Sequence, residues 1–88
     1  MLRDHPHVQA ILRSISDFRS MQIDIEELQA TLHAVEMAME SSMPRSLRNS
    51  VFRAVEELEL IRFTVDEADQ AREVEPILRY LEHEVSEL

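Results

Sequence analysis

The residues with which this chain could do chemistry are its four histidines, its eighteen acids and a scatter of serines. His5 and His7 flank Pro6 next to Asp4. A His-x-His pair can hold a metal, but two ligands beside a terminus make an incomplete site. His33 and Glu36 lie three apart, with Glu40 one further turn on. A di-iron bundle needs Glu-x-x-His contributed twice, plus glutamates from other helices, and that motif does not occur here. Helical position turns His33 away from the apolar seam of its own segment, so a solvated histidine and no metal are expected. Carboxylates cluster at Glu26-Glu27, at Glu56-Glu57 and at Glu82 with Glu84. Acid–base catalysis requires carboxylates in a pocket with perturbed pKa values; adjacent acids on short helices form a solvated face. The serines stand in no nucleophile elbow, and no glycine is present to shape an oxyanion hole. The expectation is a protein that is not an enzyme and carries no cofactor.

Two other groups of residues suit contact with a partner. Asp69, Glu73, Tyr80, His83 and Glu87 share one side of the last helical segment, opposite its apolar seam. Tyr80 is the only tyrosine. An aromatic ring among acids makes a binding anchor, because the ring supplies buried area and the hydroxyl a hydrogen bond. Alternatively, Tyr80 lies on the surface and partly covers Pro76. The second group is Phe52, Leu60 and Phe63, set well round from the main seam of their helix. Left exposed, they form a patch larger than chance surface apolarity explains. The simpler expectation is that the first or last helix covers them within a small bundle. The alternative is a homodimer or an adaptor that uses the Phe52 and Phe63 face.

The elements that must position these residues follow from composition. Glycine and cysteine are both absent from the 88 residues. Glycine-rich phosphate loops are therefore excluded, as are disulfides and thiolate zinc sites, and the lack of glycine argues against tight two-residue hairpins. A chain of this length buries only about 60–65% of its unfolded surface, so its stability rests on regular helix packing or on sharing a core with another chain. Helix-favouring Ala, Leu, Glu, Arg, Met and Gln dominate. The reading is an all-α single domain over residues 1–88, a small antiparallel four-helix bundle.

The first helix begins near Pro6, carries Val8, Ile11, Leu12, Ile15 and Phe18 as its stripe, and ends near Ser20. Asp24 precedes Glu27 by three residues, as a capping box requires, with Ile23 and Leu28 placed as a hydrophobic staple. The second helix then runs to about Ser41 with Ile25, Leu28, Leu32, Val35 and Met39 inward; Ala30, Ala34 and Ala38 would let a neighbour approach closely. Pro44 opens the third helix, where Leu47, Val51, Ala54, Leu58, Ile61 and Val65 form one continuous seam. Arg45 and Arg48 in its first turn oppose the helix dipole, and are expected to reach back toward Glu40. Asp66 reads as the cap of a fourth helix with Ala71, Val74, Leu78, Leu81, Val85 and Leu88 inward, kinked or restarted at Pro76.

Net charge is −9, from eighteen acids and nine arginines, without lysine. Residues 24–43 hold five acids and no cation; residues 66–88 hold eight acids and two arginines. Residues 1–23 and 44–65 are each net +1, with three arginines against two aspartates and four arginines against three glutamates. Such a balance argues against direct binding of nucleic acid or an anionic membrane and suits a basic protein partner. No stretch is apolar enough to span a membrane and no signal peptide is visible, so a cytoplasmic protein is expected. A small, acidic, cysteine-free helical chain with Tyr80 among carboxylates resembles the immunity proteins that neutralise bacterial nuclease toxins. The resemblance covers size, charge and helical layout, and implies an inhibitor that masks a basic, nucleic-acid-handling toxin with an acidic helix face. The Asp-Tyr-Tyr-type signature of the best-known branch does not occur in this sequence.

Overall fold

The computed structural model describes residues 2–39 and 43–88. After a 3-10 turn at Leu2–Asp4 come four helices: α1 (Pro6–Arg19), α2 (Ile25–Ala38), α3 (Arg45–Thr64) and α4 (Glu67–Ser86). Consecutive helices pack against each other, and α1 closes the ring on α4 less extensively. The result is an all-α four-helix bundle of 38 × 22 × 19 Å, with α2 and α4, the acidic pair, on opposite corners.

Each start has a local cause. Pro6 occupies the first position of α1, where its missing amide has no partner to lose. His5 caps that helix, its Nδ1 accepting from the His7 amide at 3.1 Å. At α2, Asp24 accepts from the Glu27 amide at 2.8 Å, and Ile23 packs against the core that contains the fully buried Leu28. Asp66 differs from expectation. It precedes α4, but its side chain makes no capping bond; its carbonyl instead accepts from the Asp69 amide at 2.8 Å.

The turn after α1 does without glycine. Met21 has φ of 63°, the left-handed region that glycine normally fills at a helix end. The Gln22 amide reaches back to the Asp17 carbonyl at 2.8 Å, and the Met21 amide to that of Phe18 at 3.1 Å. These are the two bonds of a Schellman motif. A side chain held there costs about 1 kcal/mol relative to glycine, and that of Met21 stands almost fully in solvent.

The core gathers Val8, Ile11 and Ile15 of α1, Leu28, Leu32 and Val35 of α2, Leu47, Val51, Ala54 and Leu58 of α3, and Val74, Ile77, Leu78, Leu81 and Val85 of α4. The expected seams are the buried ones except at Ala71, which lies exposed one turn before the first buried residue of α4; Leu12, Phe18, Ile25, Ile61 and Leu88 pack at the margin and Val65 is half-buried at the end of α3. Among the described residues no buried side-chain nitrogen or oxygen lacks a partner. Ser14 satisfies itself on the Ile11 carbonyl at 2.8 Å.

Three expectations change here. Ala30, Ala34 and Ala38 face solvent; they admit no neighbour, because α1 and α3 flank α2 on its other sides. α4 runs through Pro76 as one helix and does not restart; the ring lies on the exposed side, so it crowds no core atom. α2 ends at Ala38. That end falls short of the expected Ser41, since Met39 is already extended; the contact of Arg45 and Arg48 with Glu40 lies outside the described residues.

The α1–α4 seam, the least packed of the four, is closed by arginines. Near the end of α1, Arg19 bonds Glu75 (2.8 Å) and Glu82 (2.7 Å), two residues seven apart on one side of α4. At the other end of the bundle, Arg3 donates to the Ser86 carbonyl at 2.8 Å. Hydrogen bonding to Arg19 holds both carboxylates below their ordinary range, against the smaller opposing effect of desolvation. Depressed carboxylates stabilise the fold above their unfolded pKa of about 4.3, and that stabilisation is lost as pH falls through the lowered values. The groups remain about one-third exposed, so solvent screening limits the clamp to about 1 kcal/mol. Arg19→Met is therefore expected to lower Tm by about 4–8 °C at pH 7. Thermal melts between pH 7 and pH 2 should show the difference from wild type shrinking below about pH 4.3; a constant difference would show that the clamp is not electrostatic.

Candidate protein-recognition faces of α3 and α4

Ser50 is buried on α3 at the α4 seam and organises the first candidate site. Its hydroxyl donates to the Ser46 carbonyl and lies 2.9 Å from Glu84 and 3.2 Å from the Tyr80 hydroxyl. With a single proton to give, it cannot donate to all three at once; the Tyr80 hydroxyl therefore donates to Ser50 in some arrangements. From α3, the Arg53 guanidinium sits 5.9 Å from the centre of the Tyr80 ring, within cation–π range. Tyr80 is thus fixed by α3 and keeps 41% of its surface exposed. The ring forms one wall of a groove of about 180 Å³, completed by Arg53, Ala54, Glu57, Pro76 and Ile77.

The other expected α4 residues follow Tyr80 along the same side. Asp69 is half-buried and pairs with Arg72 at 3.0 Å. His83 lies 3.5 Å from Glu87, both largely exposed. Glu73 is exposed and sits one helical turn before the groove residues Pro76 and Ile77. No ion pair reaches Glu56, Glu57 or Glu73 among the described residues. The structure therefore brings Asp69, Glu73, Tyr80, His83 and Glu87 onto one surface and adds Glu57 and Glu84, with Arg53, to it. Nothing local marks Ser50 or Arg53 for that role, because their partners lie on another helix, 34 residues on for Ser50 and Glu84.

On α3 itself, Phe52 is 49% exposed, Leu60 63% and Phe63 71%. The expectation that a neighbouring helix covers them does not hold: α2 and α4 flank α3, α1 lies across the core, and no helix among the described residues covers its outer side. Phe63 is topped by the Arg62 guanidinium at 5.0 Å, which also bonds Gln29 of α2 at 2.8 Å. Beyond Phe63, the two turns at that end of the bundle surround an open concavity with Met21 and Phe63 at its edge and Asp24, Glu26, Glu27, Asp66 and Glu67 around it.

The histidines are dispersed. His5 and His7 stack at 4.8 Å, with Nδ1 of His5 occupied as a cap. His33 lies 3.7 Å from Glu36. Among the described residues no three side chains of His, Asp or Glu converge as metal ligands. No described helix is long and apolar enough to cross a membrane. Comparison of the chain with protein-family models, with curated proteins and with solved structures finds no match in any of the three.

Proposed function

We propose that the protein is a small acidic recognition module that binds and masks a basic partner protein, in the manner of an inhibitor or immunity protein. The observation that supports this reading most is the α3–α4 groove. A tyrosine held in place by Ser50 and Arg53 stands there among carboxylates, and among the described residues no ion pair reaches Glu57 or Glu73. A preordered aromatic loses little conformational freedom on binding. Unpaired carboxylates around it attract a cationic surface and reject acidic ones. The cationic surface of a nucleic-acid-handling protein is the kind such a face complements.

Affinity capture with the immobilised wild type and with Glu73→Lys/Glu87→Lys, at low and at moderate salt, tests the reading. The wild type should retain a basic protein at low salt, and the double variant should lose most of it. Equal retention by both, or retention of an acidic protein, would exclude this face as the site.

A further inference from the structure

The exposed side of α3 carries a charge pattern with an internal symmetry. Counting from Phe52, arginines stand seven and four residues before it (Arg45, Arg48), and glutamates four and seven residues after it (Glu56, Glu59). All four charged residues are exposed, and Phe52 at the centre is half exposed. Steps of three and four keep the five side chains on one face of the helix, along about 21 Å of its length. Glu56 and Glu59 make no ion pair among the described residues.

We propose that this face is the contact between two copies of the chain, with the α3 helices antiparallel about a two-fold axis at Phe52. Antiparallel pairing sets Arg48 against Glu56 of the second copy and Arg45 against Glu59, and the two-fold repeats both pairs. The two Phe52 rings meet on the axis, and Leu60 lies level with Pro44 of the second copy. A parallel pairing would set arginine against arginine and glutamate against glutamate. Two-fold contacts are self-complementary by construction, and opposite charges set across a helix pair choose its orientation as they do in coiled coils. The choice of α3 also fits the charge of the whole. At −9 two copies repel each other, and residues 44–65, at net +1, oppose that approach far less than α2 or α4 do. One helix against one helix is a small interface, so the dimer is weak, with a dissociation constant on the order of 10 µM. This inference does not rest on the basic-partner reading; it concerns another face and is tested on the purified protein alone.

Sedimentation velocity at about 100 µM, well above a micromolar Kd, tests it with four samples. Wild type should be dimeric. Arg45→Glu/Arg48→Glu, which makes the face wholly acidic, and Glu56→Arg/Glu59→Arg, which makes it wholly basic, should each be monomeric. Mixed one to one, the two variants should form a heterodimer, since every pair across the axis is then complementary. Phe52→Ser, which leaves all charges in place, should be monomeric as well and stands in for a charge variant that fails to fold by circular dichroism. A monomeric wild type, a dimeric reversal variant, or a mixture that stays monomeric would overturn the proposal.

Discussion

Leu58→Ala lowers stability by about 3 kcal/mol, while Leu60→Ala, two residues on, changes it by no more than about 0.5 kcal/mol. The side chains are chemically identical and share one helix. Leu58 has no exposed surface and packs with the inward residues of α3, whereas Leu60 is 63% exposed. Removing Leu58 leaves a void in a close-packed interior that relaxes only in part. Domains of this length hold about 4–13 kcal/mol in all, so the loss is a large share of the total and lowers Tm by about 12–24 °C. Denaturant titration in dilute solution, where α3 contacts no second copy, measures both variants. Similar losses at the two positions would mean that the outer side of α3 is covered within the monomer.

The second large effect has the opposite sign. Pro76→Ala should stabilise the protein by about 2 kcal/mol, read as a raised denaturant midpoint at unchanged slope. Pro76 is the tenth of the twenty residues of α4. It lacks the amide that would bond the Arg72 carbonyl, and its ring crowds that turn. In a helix interior, proline stands about 3 kcal/mol below alanine; the solvent-facing position lets water satisfy the freed carbonyl and moderates the difference. A lowered midpoint would show instead that Pro76, which lines the Tyr80 groove, shapes α4 in a way the core depends on.

What could be read from the sequence was what local chemistry determines. Asp24 announced a helix start through the spacing to Glu27, and the structure makes that bond. Leu47, Val51, Ala54 and Leu58 repeat by three and four, and all are buried. What could not be read depends on partners distant in the chain. Arg19 looked like any surface cation until α4 brought Glu75 and Glu82 beside it. Ser50 gained its place from Tyr80 and Glu84 across the α3–α4 seam. Phe52, Leu60 and Phe63 were recognisable as a second apolar group, but residue type does not say whether a neighbour exists to cover it. Met21 was missed for another reason: with no glycine in the chain, nothing marked where the left-handed residue would fall.

Recognition by charge and contact makes its most direct prediction about speed. Once the partner is in hand, stopped-flow association at about 0.01 M and about 0.15 M ionic strength should show a rate at least about tenfold higher at low salt, because a Debye length near 30 Å leaves the acidic face unscreened. Glu73→Lys/Glu87→Lys should flatten that dependence. An association rate indifferent both to salt and to those two substitutions would contradict the account.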